Sequence, residues 1–85
     1  MYQNVKDPVP GDTFGVPVGI YVGEIFCFVE KVGENYQFLS MPKMLIRTVP
    51  KEKFEFAIYN NIIEFIENLP RDVYKLVEAQ YNQNK

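Results

Sequence analysis

Few residues in this chain have the types and spacing that chemistry needs. It has no histidine, one cysteine (Cys27) and one serine (Ser40). Without histidine, the side chain best suited to proton transfer near neutral pH is missing, and neither a Ser-His nor a Cys-His nucleophile pair can form. Ser40 stands three residues before Lys43, but no Gly-x-Ser-x-Gly surrounds it and Met41-Pro42 follows, so it reads as part of a turn. One cysteine and no histidine cannot build a zinc site. The eleven carboxylates show no Asp-x-Asp-x-Asp-Gly calcium spacing, and Glu64 and Glu67 read as the solvated face of a helix. Gly15, Gly19 and Gly23 recur every four residues, but no Gly-Lys-Ser/Thr follows and the next element is a strand, not a helix. The expectation is a protein that is not an enzyme and holds no cofactor and no metal.

Two features call for more than a structural explanation. Residues 43–53 carry Lys43, Arg47, Lys51 and Lys53 against Glu52, a net +3, whereas residues 1–42 carry −3 and residues 54–85 carry −2. Concentrated positive charge of this kind suits phosphates, and Tyr36 or Phe38 nearby could stack a base. Lysines that protect an edge strand give the same pattern. The second feature is a surplus of large apolar side chains, which often marks an association surface.

The elements that would position these residues begin with a turn-rich entry, residues 1–19, where Pro8, Pro10 and Pro17 alternate with Gly11, Gly15 and Gly19. Met1–Lys6 reads as a frayed end unless Tyr2 and Val5 dock. Thr13–Val18 could form an edge strand, confined there by Pro17. Ile20–Val32 reads as a strand with a bulge at Gly23, then Val32-Gly33-Glu34-Asn35 as a hairpin turn into Tyr36–Leu39. Met41-Pro42-Lys43 breaks the run before a third strand, Met44–Val49. Along the first of these strands Phe26 and Phe28 share one face, while Ile25, Cys27 and Val29 share the other. Its middle has no face to give to water, so the sheet must be curved or covered.

After Val49 the period changes. Phe54, Ile58, Ile62, Phe65, Ile66 and Leu69 fit a helix that opens at Pro50 with Thr48 contributing to its cap. A rival reading takes Phe54–Ile58 as an alternating strand that turns at Asn60-Asn61, a poor helix interior. A last helix opens at Pro70 with the stripe Val73, Leu76, Val77 and Tyr81. The fold class expected is α+β: a small antiparallel β-meander of three to four strands (20–49), SH3-like or a partly open barrel, then two C-terminal helices (50–82) packed on it as a hairpin. The likeness to SH3-like barrels is one of general shape. Neither their acidic aromatic peptide-binding loop nor the basic Gly-aromatic run of RNA-binding sheets is present, and no family follows from it.

Eighty-five residues make a single domain, 1–85, able to bury roughly 60–65% of its unfolded surface. A net charge of −2 opposes general attraction to nucleic acid or anionic membranes. No apolar run reaches eighteen residues, and Met1–Asp7 lacks the pattern of a secretory signal, so no membrane partner is expected. A lone cysteine in an apolar run reads as a buried hydrophobe and fits a cytoplasmic location. These observations favour a non-catalytic protein-interaction module, accessory or regulatory, that binds a protein partner or itself as a homodimer. The surface expected to bind is the sheet face with Tyr21, Phe26, Phe28 and Tyr36, with Lys43 and Arg47 at its rim. The alternative is a nucleic-acid-binding module using Lys43, Arg47, Lys51 and Lys53.

Overall fold

A computed structural model describes residues 7–85; the expectation for Met1–Lys6, including Tyr2 and Val5, lies outside the described residues. The elements are β1 (Asp12–Gly15), β2 (Ile25–Val32), β3 (Asn35–Met41), β4 (Leu45–Pro50), α1 (Lys51–Tyr59), β5 (Glu64–Asn68) and α2 (Arg71–Asn84). The fold is α+β. Its five strands form one antiparallel open sheet in the order β4-β3-β2-β1-β5. The sheet does not close into a barrel, because β4 and β5 remain as separate edges. The expected meander is present as β2-β3-β4, and β1 joins it as the fourth strand.

The hairpin between β2 and β3 turns through Gly33-Glu34, with Gly33 at φ 61°, where a β-branched residue would be strained. Gly23 does not bulge a strand. It lies in the loop before β2 at φ 91°, and β2 starts at Ile25 rather than Ile20. The bulge falls instead at Val29, where Phe28 opposes Phe38 but Glu30 opposes Gln37. Val29 and Glu30 therefore both point to the Cys27 side. β1 is not an edge strand: it ends at Gly15, before Pro17, which leaves both its sides free to pair.

The largest departure from the expected helical hairpin is β5. Helix α1 stops at Tyr59 because Asn61 adopts φ 58°, Asn61 N–H donates to Ile58 O and Ile62 N–H donates to Ala57 O at 2.8 Å. That is a Schellman ending, with Asn in place of the usual glycine. The chain then returns as a strand beside β1. A second bulge, at Ile66, sets Phe65 opposite Phe14 and Glu67 opposite Thr13. Thr13 Oγ bridges the irregular stretch, donating to Glu67 O at 2.7 Å and accepting from Glu67 N–H at 3.2 Å.

This insertion places the helices on opposite faces. To pass from edge β4 to edge β5 the chain must cross four strand spacings, about 19 Å, and α1 of nine residues covers about 13 Å of it. α2 follows β5 and returns over the other face, where Asn84 Nδ2 donates to Met44 O. Under α1, Phe14, Val16, Phe26, Phe28, Tyr36, Phe38 and Phe54 form one core. Phe54 is the residue α1 inserts, 5.2 Å and edge-to-face from both Phe14 and Tyr36 and stacked 5.8 Å from Phe38. Under α2, Cys27, Val29, Leu39, Val77 and Tyr81 form the other. The two-faced apolar strand is thus covered on both sides.

The ends of the helices differ from expectation. Pro50 and Pro70 are the N-cap residues themselves, with no side-chain cap. Thr48 instead donates to Gln37 Oε1 at 2.6 Å, and Lys51 N–H, one of the helix's orphan donors, finds Glu34 O at 2.9 Å. In α2 the buried stripe is Tyr74, Val77 and Tyr81; Leu76 points away from the sheet and is 73% exposed.

Candidate functional site

The six residues expected to bind a partner divide into two groups. Phe26, Phe28 and Tyr36 lie in the core under α1, with Tyr36 only 1% exposed. Tyr21, Lys43 and Arg47 meet at one end of the sheet, where the β1–β2 loop and the β3–β4 turn lie side by side. The group that gathers them is Glu24, which sequence reasoning did not single out. Glu24 is 7% exposed. Its carboxylate accepts a hydrogen bond from Ser40 Oγ and lies 3.6 Å from both Lys43 Nζ and Arg47 Nη2. The Arg47 guanidinium sits 5.1 Å from the Tyr21 ring centroid, and Tyr21 meets Phe26 edge-to-face at 6.4 Å. Arg47 Nε is buried without a hydrogen-bond partner among the described residues.

The Ser40 hydroxyl holds Glu24 below the usual carboxylate range, against the effect of burial, and Arg47 and Lys43 add to the lowering. Ser40 and Glu24 are thus a hydroxyl and a carboxylate in contact, the pairing a nucleophile and its base would need. Ser40 is 0% exposed, however, so its hydroxyl faces only protein. The contact serves to hold the β1–β2 loop against β3.

The same kind of cluster occurs twice more. Asp7 accepts a hydrogen bond from the Tyr36 hydroxyl and lies 3.8 Å from Lys51 Nζ. That hydrogen bond lowers the Asp7 carboxyl, while burial first and Asp7 second raise the Tyr36 phenol. On the α2 face, Glu30 accepts from the Tyr81 hydroxyl at 2.7 Å and pairs with Lys85 at 3.1 Å. Burial, then the Glu30 contact, pushes the Tyr81 phenol up to about 12. Of the four cations in the basic segment, Lys43, Arg47 and Lys51 are therefore each beside a carboxylate, and Lys53 is exposed on α1. Burial pushes the Cys27 thiol up to about 11, so it stays protonated at neutral pH. Glu64 and Glu67 lie on strand β5, not on a helix. Among the described residues, no group of three His, Cys, Asp or Glu side chains could hold a metal ion.

Around the Glu24 cluster the surface is apolar. The loop Pro17-Val18-Gly19-Ile20-Tyr21-Val22-Gly23 carries no charge, yet Val18, Ile20 and Val22 are exposed, Ile20 to 89%. Val22 N–H donates to Gly19 O, Gly23 N–H to Val16 O and Glu24 N–H to Tyr21 O, so the loop is folded on itself. Met44 in the neighbouring turn and Leu45 at the start of β4 are also exposed. Met44 lines a groove of about 390 Å³ with Leu76, Val77, Ala79, Gln80 and Gln83 of α2. A second cleft, about 320 Å³, lies near the start of α2 between Pro10, Leu69, Arg71, Tyr74 and Lys75.

The fold and the site together define a small α+β domain, and no helix of the described residues is long and apolar enough to cross a membrane. Set against protein-family models, curated proteins and solved structures, the chain matches none.

Proposed function

We propose that this chain is a non-catalytic protein-interaction module, accessory or regulatory, that binds through the apolar end of its sheet rather than through a sheet face. One observation carries the reading: a charge-free loop with Ile20 89% exposed, held in one shape by its own backbone bonds and by Glu24. An apolar surface of more than a few hundred Å² is uncommon on a monomer and marks association. A loop ordered before binding loses less entropy when a partner covers it. Tyr21 and Arg47 are residue types that anchor interfaces, and both stand at the rim of this surface.

The nucleic-acid alternative draws on the +3 of residues 43–53. Phosphate contacts there would compete with Glu24 for Lys43 and Arg47 and with Asp7 for Lys51, which favours the protein reading. Capture experiments with the tagged chain from its own host cells separate the two. Stoichiometric protein capture that Ile20→Asp abolishes and Lys53→Glu preserves is the expected result. Capture indifferent to Ile20→Asp, or capture of nucleic acid lost with rising salt, contradicts the proposal.

A further inference from the structure

We propose that the free edge of β5 is a second binding surface, one that takes an extended peptide segment as an added strand. The segment carries Lys or Arg on the side of Glu64 and Glu67 and an apolar residue on the side of Phe65. This surface is separate from the apolar loop and does not depend on it. Among the described residues β5 pairs with β1 alone, so its other side presents unpaired backbone groups. Glu67 N–H and Leu69 N–H turn toward β1, to Thr13 Oγ and Gly11 O. The N–H and C=O of Asn68, between them, therefore face outward. All five residues of β5 are exposed. Its register with β1 places Phe65 beside Phe14 on the α1 face. Glu64 and Glu67 stand beside Gly15 and Thr13 on the α2 face, where Thr13 pairs with Cys27.

The two edges of the sheet are guarded differently. β4 ends on Pro50, carries Arg47 and is tied at its start by the bond from Asn84 to Met44 O. Proline and basic side chains are common guards of an edge. β5 has neither, and residues 54–70 contain no Lys or Arg. Its guards are its shortness and the bulge at Ile66. These oppose the stacking of long sheets but leave a short segment room to pair. Charge selects the occupant. Glu64 and Glu67 have no ion-pair partner among the described residues, and opposite charges across a strand pair are favoured. A second copy docked through its own β5 would instead bring like carboxylates together, which is unfavourable. Phe65, about half exposed, offers the apolar contact on the other face. In strand addition main-chain bonds supply the affinity and alternating side chains the specificity.

Titration of the full chain with the capped peptide Lys-Val-Lys-Val-Lys-Val, followed by calorimetry and by amide signals in nuclear magnetic resonance, tests this. Saturable binding of one peptide per chain is expected, with the Asn68 N–H gaining protection from exchange. The peptide Lys-Pro-Lys-Pro-Lys-Pro has the same charge but cannot complete a ladder, and it should bind about tenfold more weakly or worse. The double variant Glu64→Lys, Glu67→Lys, shown folded by thermal melts, should lose about tenfold or more for Lys-Val-Lys-Val-Lys-Val and prefer Glu-Val-Glu-Val-Glu-Val. Ile20→Asp should bind as the wild type does. No binding overturns the inference. Equal binding of the proline peptide overturns it in favour of charge attraction alone, and indifference to the double variant overturns it as well. Loss of binding in Ile20→Asp overturns it in favour of the loop. A wild type that sediments as two chains, with Asn68 N–H protected before peptide is added, overturns it in favour of a second copy on this edge.

Discussion

The two ends of the sheet use the same chemistry in different settings. At one end Glu24 joins Ser40, Lys43 and Arg47; at the other Asp7 joins Tyr36 and Lys51. Each cluster ties a segment before a strand to the strands beyond it through a carboxylate, a hydroxyl and a cation. Around Asp7 most neighbours are polar, Glu34 and Asn35 in the hairpin turn, Lys31 beside the Tyr36 ring and the start of α1, with Val9 and Val32 exposed among them. Around Glu24 they are Val18, Ile20, Val22, Met44 and Leu45. The clusters thus fasten the fold at both ends, and the Glu24 end exposes more apolar side chains, Val18, Ile20, Val22, Met44 and Leu45 against Val9 and Val32 near Asp7. The difference teaches where to look for function, which is in what surrounds the charged residues more than in those residues.

If fastening and binding are separable, stability should depend on the core first, the buried cluster second and the exposed cluster third. Phe54→Ala removes the residue α1 inserts among Phe14, Tyr36 and Phe38, and should cost about 3–5 kcal/mol in urea denaturation. In a domain of this size that approaches the whole stability. Glu24→Gln should cost about 1.5–3 kcal/mol, the range for a hydrogen bond to a charged group, because it also leaves Arg47 and Lys43 without their counter-charge. Its pH dependence sharpens the contrast. The folded-state value of Glu24 lies below its unfolded value near 4.5, so its contribution is fully present above that pH and is lost as pH falls through the folded value. Wild-type stability should decline on acidification below about 4.5, and the Glu24→Gln variant should decline less steeply in the same denaturation series. Tyr36→Phe at the other end should have the smallest effect, since the Asp7 carboxylate is largely open to water and keeps its solvation. A Tyr36→Phe loss larger than that of Glu24→Gln would break the comparison.

Much of the sheet was legible from side-chain alternation. Phe26 and Phe28 against Cys27 and Val29 announced a strand covered on both faces, and Gly33 announced its hairpin. What misled was the stretch after Tyr59. The adjacent apolar pair Phe65-Ile66 is produced by a bulge, and a bulge breaks the period of two, so the residues fitted a helix instead. The αL tolerance of Asn61 was the correct signal for a turn, but it ends a helix rather than joining two strands. With β5 read as helix, both helices fell on one face, and the second face looked open. The Glu24 cluster was illegible for another reason. Its members are separated by 16 residues for Ser40, 19 for Lys43 and 23 for Arg47, and only strand pairing brings them together. Exposure of Leu76 could not be read either, because Val73, Leu76 and Val77 fit one stripe equally well until the position of the sheet is known.

The comparison of the two ends is tested most directly by backbone hydrogen exchange of the chain alone and in the complex captured from its host cells, read by mass spectrometry. The account predicts that residues 18–24 and 43–45 gain protection in the complex, while residues 33–35 exchange at the same rate in both. Protection that rises equally at both ends, or at neither, would contradict it.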